Sequence, residues 1–598
     1  MVDRLDEPHE VDSGDRSHEE PTILRDDQDW FDRLITWGRD LRPWVKGTVA
    51  FAIFLALALA IWARPILGRF DTRAMGDGGG DAKFYQWSLS WVRWSLMHRT
   101  DPLFTHEVFA PDGTSLVWTT FVPAAGLLLL PVRASFGALV ALNTGLVLAS
   151  ALACWAAYLV CFRLTRAYWP SVVGGYLFGY SAYMVGHMHG HLNLVFIFPV
   201  PLAVYLVIRR TEGSMGRPTF LILLSLTLVT LFLSSTELFA TTAFFGVVAF
   251  TIAAIAARRD RGRVLASAAL TAGAYLITAV VMSPYLIAAV RQPPPKALHD
   301  LRATSVDLYS FVVPRIEELH RTDAANRISD RFLAKGVEDA GYVSLALIVM
   351  LVWFAISERR RRGTWGLLAF VGIVSLAALG PVLHLMGRES VWLPWSLLAT
   401  VPLIKEAPPD RFPAYSALAI GVIAALWLAR APNTTAPLRW GVVAVGIFLL
   451  YPNVHFIGHK EQTLPAFFED GTYRSVLQQD EVVLAIPESR GEEMLWQEST
   501  DMWFRLVVGY LGPVPGPYAN DPMRKGLSGD LGGSTPLPPP EIPGWLNAHQ
   551  VTSIVIADGA RADYETLLRS IGGRVVHDGG GVSVWRPESG TWSFEPEG

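Results

Sequence analysis

The sequence predicts a polytopic α-helical membrane protein with about eleven transmembrane helices, followed by a C-terminal α/β domain outside the membrane. Composition is the first observation behind this class, because 51% of the 598 residues are hydrophobic and only 17% are charged. The second is that apolar runs long enough to cross a bilayer recur up to residue 453 and then stop. The net charge of −4 is uninformative about partners because the charges are segregated along the chain. Nothing in the sequence suggests a nucleic-acid partner, and we find no nucleotide-binding or zinc motif.

The N-terminal residues 1–45 are predicted to form a cytoplasmic tail. Residues 1–28 are acidic and poor in apolar side chains, so burial cannot offset the entropy of ordering them. Residues 29–45 combine tryptophans with arginines. That mixture is typical of a helix lying on the membrane surface, or of an ordinary lead-in to the first span.

Eleven apolar segments are predicted to cross the membrane. They are residues 46–66, 138–161, 170–187, 192–208, 219–236, 239–256, 264–289, 342–357, 365–385, 413–429 and 438–453. The positions of the arginines test this assignment, because short cytoplasmic loops are enriched in Lys and Arg. With the N-terminus inside, every inner loop contains arginine: 163–169, 209–217, 258–263, 358–362 and 430–439.

Two shorter apolar runs, residues 119–133 and 391–404, are interrupted by proline and are predicted to be re-entrant or interfacial. If either crossed, the arginine pattern of the later loops would be inverted. The large segments on the outer side are then 67–137, 290–341, 386–412 and 454–598.

The last of these outer segments, 454–598, is predicted to be the soluble α/β domain. Residues 481–487 and 551–557 have the pattern of buried strands, and 561–571 that of a helix. A final strand pair is predicted around the glycines 579–581. Residues 509–545 are rich in Gly and Pro, which predicts a long loop.

A glycine-rich stretch with two carboxylates, residues 76–81 (GDGGGD), follows the first span. A carboxylate that lies just outside a membrane span, near the membrane surface, can act as a general base towards a hydroxyl group. Asp81 is also placed to be the N-cap of a helix that starts at Ala82, and the two roles are compatible. Asp77 is a second candidate, for catalysis or for binding a metal ion.

The helix predicted after Asp81 has an aromatic stripe with polar residues beside it. The stripe is Phe84, Trp87, Trp91 and Trp94, and the polar residues are Lys83, Gln86, Ser90 and Arg93. Tryptophan is favoured at the level of lipid headgroups. The pattern therefore predicts an anchoring helix in the membrane interface that holds Asp81 at headgroup height.

Three histidines, His187, His189 and His191, lie in the outer turn between the third and fourth predicted spans, close to Asn193. They are candidates for binding a divalent metal ion or a substrate phosphate. Their alternation around Gly190 matches no established metal-ligand spacing, and solvated loop histidines are the alternative.

Further charged residues fall at the outer ends of other spans. Glu237 either lines a site or extends outward into the interface. Arg411 is a candidate phosphate ligand together with Lys405, or else a structural partner of Asp410 or another loop carboxylate. Glu338, beside Asp339, is a weaker candidate of the same kind.

These candidates are far apart in sequence, yet the predicted topology brings all of them to the outer face. The inner face is dominated by arginines and has no comparable set of carboxylates and histidines. The sequence therefore predicts a site at the outer membrane interface.

The order of a first span, a long outer loop with an early Asp, many further spans and an outer C-terminal domain resembles the GT-C superfamily of polyprenyl-phosphate-sugar-dependent glycosyltransferases. Within it, one set of residues is similar to largely uncharacterised bacterial glycosyltransferase-like proteins: Gly76-Asp77, Asp81, Trp87, Trp91, 101–113 (DPLFTHEVFAPDG) and His191-Leu192-Asn193. The resemblance covers residues 46–453. The usual paired acidic motif is absent from the first loop, and we assign Asp81 to the catalytic aspartate.

The resemblance implies an inverting transfer from a polyprenyl-phosphate-linked sugar to a glycan or lipid acceptor at the outer face of a bacterial inner membrane. Asp81 would take the acceptor proton, and Arg411, with the histidines or a metal ion that they hold, would stabilise the leaving phosphate. No nucleotide site is required. Two other classes remain open: a transporter or flippase for a lipid-linked glycan, and a non-catalytic subunit of envelope assembly.

Overall fold

The computed structural model describes residues 42–76, 78–292, 299–334, 340–399, 404–486, 491–512, 514–519, 521–527 and 539–594. The chain divides into a small N-terminal unit that ends at Thr48 and a large unit from Val49 to the end. The predicted tail 1–28, and all of the predicted surface helix 29–45 before residue 42, fall outside the described residues.

The first part of the chain contains one apolar helix and a set of short elements. Helix α1 continues through a π-helical turn, Leu59–Ala63, and a 3-10 turn, Arg64–Ile66. The elements are α1 (Pro43–Ala58), β1 (Arg73–Met75), α2 (Gly80–His98), β2 (Phe104–Thr105), β3 (Thr114–Ser115), α3 (Pro123–Leu128) and α4 (Leu130–Phe136). The proline-interrupted run 119–133 thus contributes to two short helices, each with proline in its first turn.

Apolar helices make up most of the chain that follows. Up to residue 291 they are α5 (Ala138–Thr165), α6 (Tyr168–Gly179), α7 (Ala182–His187), α8 (Leu192–Val195), α9 (Pro199–Thr211), α10 (Arg217–Phe232), α11 (Thr236–Ala256), α12 (Arg261–Val281) and α13 (Ser283–Arg291). After it come α14 (Asp323–Ser329), α15 (Leu345–Ser357), α16 (Arg362–Ala378), β4 (Val382–Leu385), β5 (Arg388–Trp392), α17 (Trp395–Leu398), α18 (Pro413–Ala429) and α19 (Ala436–Leu449).

Each of the eleven predicted spans coincides with at least one helix. Among the described residues, six helices are long and apolar enough to cross a membrane, and four shorter apolar helices accompany them. Helix α18 is almost completely buried and packs against α6 and α16. The protein is therefore a multi-pass membrane protein, while the count of eleven spans stays a prediction.

Four predicted spans differ from single continuous helices. The span 192–208 is divided between α8 and α9, and the span 264–289 between α12 and α13. The span 170–187 is broken between α6 and α7, at Tyr180 and Ser181. The prediction of a span over 365–385 is wrong at its C-terminal end, because α16 stops at Ala378 and residues 382–385 form strand β4. Gly380 adopts a positive φ of 73°, which ends the helix, and a proline follows it.

The C-terminal segment, residues 454–594, begins with α20 (Val454–Ile457), β6 (His459–Glu461), α21 (Ala466–Glu469), α22 (Tyr473–Val476), β7 (Val482–Ile486), α23 (Glu492–Ser499) and β8 (Arg505–Leu506). It continues with α24 (Gly516–Ala519), α25 (Pro522–Leu527), α26 (Ile542–Ala548), β9 (Ser553–Ala557), α27 (Arg561–Ser570), β10 (Gly573–Gly579) and β11 (Val582–Pro587). Every predicted strand and helix is present. The predicted loop 509–545, where it is described, contains the short helices α24 and α25 and the start of α26.

Five strands of this segment form one mixed sheet in the order β10-β11-β9-β7-β8. Strand β7 is buried along its whole length and runs parallel to β8 and β9, whereas β11 is antiparallel to β9 and β10. The C-terminal segment is joined to the long loop after α1 by strand β6, which pairs antiparallel with β1.

The prediction that the helix after Asp81 is an interfacial anchor is wrong. Helix α2 packs against α3, α5 and α23, and Trp87 and Trp91 are no more than 1% exposed. Its polar residues contact the C-terminal segment instead of water or lipid headgroups. An aromatic stripe has the same periodicity whether it faces lipid or protein, which explains the error.

Candidate active site

Helix α2 carries Asp81 into the centre of the candidate site. Gly79, with an extended backbone, occupies the N-cap position of α2. Asp81 lies two residues later, in the first helical turn. The prediction that Asp81 is the N-cap is therefore wrong by two residues. A carboxylate in the first turn is still favoured by the helix dipole, and its side chain is directed to other partners.

The two carboxylate oxygens of Asp81 each have a partner from a different part of the chain. The Tyr510 hydroxyl donates a hydrogen bond to Oδ1 at 2.8 Å. The Nε2 atom of His191 lies 3.2 Å from Oδ2. The Asp81 side chain is 38% exposed, so this carboxylate remains accessible to a substrate.

Glycines allow these three chain segments to approach one another. A Cβ atom on Gly80 would lie 2.6 Å from the Tyr510 ring. Gly76 has a φ of +94° and lies directly against the backbone carbonyl of His189. The glycine-rich stretch before α2 is thus explained by close packing as well as by turn formation.

Asn143 of α5 fixes the chain that leads into this stretch. Its side-chain oxygen accepts a hydrogen bond from the Met75 backbone at 2.9 Å, and its amide nitrogen donates to the carbonyls of Phe70 and Arg73 at 3.0 and 2.8 Å. Asn143 is fully buried, so these bonds form away from water. The chain segment that leads into the site, residues 70–75, is therefore fixed to helix α5.

One turn after Asp81, Tyr85 links helix α2 to the histidine turn. The Tyr85 hydroxyl donates a hydrogen bond to Oδ1 of Asn193, a residue that the sequence had marked as a candidate. Burial raises the pKa of the Tyr85 phenol well above its usual value, and the charge of Asp81 raises it further. The charge of Arg411 acts in the opposite direction. Tyr85 therefore has both charged groups nearby.

Arg411 forms an ion pair with Glu237, and both side chains are largely buried. Glu237 lies in the first turn of α11, whose N-cap is Ser235, and Arg411 ends a 3-10 turn before α18. The two helices are also joined where the Tyr415 hydroxyl meets Thr241 and Thr242 at 2.7 and 3.0 Å. The partner shown for Arg411 is thus Glu237, a carboxylate at the start of another helix, which the sequence analysis had not paired with it.

The histidines have unequal positions. His187 is fully buried, with Nδ1 at 2.7 Å from the Tyr183 carbonyl and its ring centroid 5.6 Å from that of His191. His189 is 7% exposed. The described residues contain no group of three His, Cys, Asp or Glu side chains that could hold a metal ion. Because Asp77 lies outside those residues, the metal site stays a prediction.

Not every predicted candidate is brought to Asp81. Lys405 is about half exposed and pairs with its neighbour Glu406 at 3.5 Å. Asp77, Glu338 and Asp339 lie outside the described residues. The candidates that the structure does assemble are Asp81, His191 and Asn193, with the Glu237–Arg411 pair close to Tyr85.

Sequence reasoning missed the part played by Tyr510 and Tyr85. Tyr510 is more than four hundred positions away from Asp81 in the chain, so no local pattern connects the two residues. The one local indication of a close contact at this point was Gly80, because a glycine in a helical turn allows another group to approach the backbone closely.

The assembled groups have complementary chemistry. An accessible carboxylate with a hydrogen-bond donor on one oxygen and a histidine beside the other can accept a proton from an incoming hydroxyl group. The Arg411 guanidinium is the kind of group that binds phosphate. A base and a cation on the same side of a membrane domain suit a reaction in which a hydroxyl attacks and an anion leaves.

Solved structures with a similar fold are membrane glycosyltransferases. The arabinofuranosyltransferase AftD from Mycobacteria matches with a TM-score of 0.52 and 12% identity, over 90% of this chain and 41% of AftD. The archaeal oligosaccharyltransferase AglB from Archaeoglobus fulgidus matches with a TM-score of 0.49 and 12% identity, over 94% of this chain and 75% of AglB.

ArnT from Cupriavidus metallidurans, in a structure bound to undecaprenyl phosphate, also matches with a TM-score of 0.49 and 12% identity, over 91% of this chain and 99% of ArnT. Such low identity concerns the fold alone, and of these three matches the one to AftD exceeds a TM-score of 0.5. The fold is that of the GT-C glycosyltransferases, as the resemblance predicted.

No curated protein matches this sequence. One family model does, over residues 49–451, which is the membrane part together with the loop that carries Asp81. This match covers well over half of the chain. The chain therefore belongs to the family described as "Domain of unknown function (DUF6311)".

Proposed function

We propose that this protein is a membrane glycosyltransferase that moves a sugar from a polyprenyl-phosphate donor to a hydroxyl of a cell-envelope glycan or lipid on the outer face. The observation that carries the proposal is the accessible Asp81 carboxylate at the start of a buried helix, which accepts a hydrogen bond from Tyr510 and contacts His191. The fold shared with the arabinofuranosyltransferase AftD supports it.

In the proposed reaction, Asp81 is the general base. The acceptor oxygen attacks the anomeric carbon of the sugar, and the bond from that carbon to the phosphate oxygen of the donor breaks. The acceptor proton passes to Asp81, and the polyprenyl phosphate leaves with the bonding electron pair. Attack opposite to the leaving group inverts the anomeric configuration.

The leaving phosphate needs positive charge where its negative charge develops. Arg411 is the proposed donor of that charge, and its ion pair with Glu237 fixes where the guanidinium lies. His191 and Asn193 are proposed to line the same site, and Lys405 and Glu338 stay candidates for binding the substrate or its phosphate. Asp77 remains a candidate for catalysis, and the histidines His187, His189 and His191 remain a candidate metal site.

The test is sugar transfer by the purified protein in detergent, offered a panel of polyprenyl-phosphate sugars with labelled sugar groups. We expect one donor to be transferred, or slowly hydrolysed when no acceptor is present. The Asp81→Asn variant, checked for normal size-exclusion behaviour, should consume no donor.

Other outcomes would favour the alternative classes. If a donor binds but is never consumed, the glycosyltransferase proposal is wrong. Movement of a lipid-linked glycan across liposomes that contain the protein would then indicate a transporter or flippase. Absence of both activities would indicate a non-catalytic subunit of envelope assembly.

A further inference from the structure

We infer that Tyr510 is a positioning residue for Asp81, and that the C-terminal segment thereby completes the active site rather than forming a separate binding module. This inference rests on the proposed function, since it assigns the partner that orients the proposed base. It starts from how α23 is attached to α2.

Helix α23 is attached along one face of α2 by polar contacts at successive turns. Lys83 pairs with Glu492 at 2.6 Å, the Trp87 indole donates to Gln497 at 2.8 Å, and the Ser90 hydroxyl donates to Glu498 at 2.7 Å. Trp87, Gln497 and Ser90 are no more than 2% exposed. Buried polar groups that satisfy one another fix a single register between two helices.

The same attachment places Tyr510. Its backbone N–H donates to Oε1 of Glu493, a fully buried residue of α23, at 3.0 Å. Its ring lies against Gly80, where any Cβ would collide with it. The hydroxyl is thereby held at one point, 2.8 Å from Oδ1 of Asp81.

A hydrogen bond to a carboxylate has two effects on a general base. It restricts the rotation of the side chain, so that the other oxygen keeps a constant direction towards the acceptor. It also favours the ionised form, because a phenol donates to a carboxylate more strongly than to a carboxylic acid. A Tyr510 that only filled space against Gly80 would have neither effect.

Tyr510→Phe separates the two possibilities, because phenylalanine keeps the ring against Gly80 and removes only the hydroxyl. Tyr518→Phe is the matched control: it removes the hydroxyl of a buried tyrosine of the same segment, which donates to Asp112 at 3.1 Å. Both variants should have the thermal midpoint of the parent protein to within a few degrees.

In the transfer assay, Tyr510→Phe should lower kcat about tenfold or more, with KM for the donor little changed. The acid limb of its pH profile should move to higher pH, because the ionised carboxylate has lost a donor. Tyr518→Phe should keep the parent rate and the parent pH profile. A Tyr510→Phe enzyme with the parent kcat and pH profile would overturn the inference while leaving the proposed function intact.

A second measurement does not depend on turnover. The infrared carboxylate band that disappears in Asp81→Asn can be titrated in the parent protein and in Tyr510→Phe. A higher titration midpoint in Tyr510→Phe supports the inference even if no donor is ever transferred, in which case only the proposed function fails. Identical midpoints would overturn the inference.

Discussion

Replacing Gly80 with alanine tests how closely the C-terminal segment is fitted to the candidate base. The added Cβ would lie 2.6 to 2.8 Å from three atoms of the Tyr510 ring, whereas ordinary contacts begin at 3.4 Å. The ring is rigid, so it must move by about 0.8 Å. A hydroxyl displaced that far, from 2.8 Å to about 3.6 Å, no longer makes a hydrogen bond to Asp81.

The expected cost in rate follows from the lost bond. A hydrogen bond to a charged group contributes about 1.5 to 3 kcal/mol, which corresponds to roughly 10- to 100-fold in rate if the bond supports the reacting form of Asp81. The assay is kcat/KM for sugar transfer with the best donor. The control is Gly372→Ala in α16, where a Cβ meets no atom within 4 Å and activity should be unchanged.

A double-mutant cycle separates this mechanism from general disruption. If Gly80→Ala acts by displacing the Tyr510 hydroxyl, it should cost little further activity in a Tyr510→Phe background. Fully additive losses in the double variant would refute the reasoning, as would a Gly80→Ala enzyme with parent activity.

Three further predictions concern stability and the ion pair. Burial raises the pKa of Glu107 from 4.5 to about 7, so the folded state binds this proton more tightly and stability falls as pH rises from 4.5 through 7. Glu107→Gln should therefore increase the free energy of unfolding at pH 8 by up to about 3 kcal/mol, seen as a higher thermal midpoint than that of the parent. The difference should shrink towards pH 4.5, and a difference that does not change with pH would contradict this. Arg411→Met alone should lower the free energy of unfolding by about 3 to 5 kcal/mol, because it removes the arginine that pairs with the largely buried Glu237. The double variant with Glu237→Leu should be destabilised less in the same melting experiment. Asn143→Leu removes three buried hydrogen bonds to residues 70–75 and should increase amide hydrogen exchange there, with no change in the sheet of the C-terminal segment.

The membrane helices could be predicted because their signal is local. Apolar runs and arginine-bearing loops predicted eleven spans, and a helix is present at each of these positions. The patterns of buried strands predicted β7 and β9. The errors arose where a local pattern has two meanings. The tryptophans of α2 fit a lipid interface and a protein core equally well, and the run through Gly380 continued past the end of α16.

The site was predictable as a set of residues but not as a set of contacts. The sequence marked Asp81, His191, Asn193, Glu237 and Arg411 because charged and polar groups at the ends of spans are costly without a function or a partner. That Glu237 pairs with Arg411, and that Tyr510 reaches Asp81, depends on packing between distant segments. A single sequence contains no pattern for such long-range pairs.

The most direct test of the account is the initial rate of polyprenyl-phosphate release with saturating donor and acceptor, measured for the parent protein, Asp81→Asn and Asp77→Asn. Asparagine keeps the size of the side chain at position 81 and one oxygen that can accept the bond from Tyr510, but it cannot accept a proton as a carboxylate does. We expect the rate to fall by a factor of about 100 or more in Asp81→Asn and by much less in Asp77→Asn. An Asp81→Asn protein that releases polyprenyl phosphate at the parent rate would contradict the assignment of Asp81 as the base.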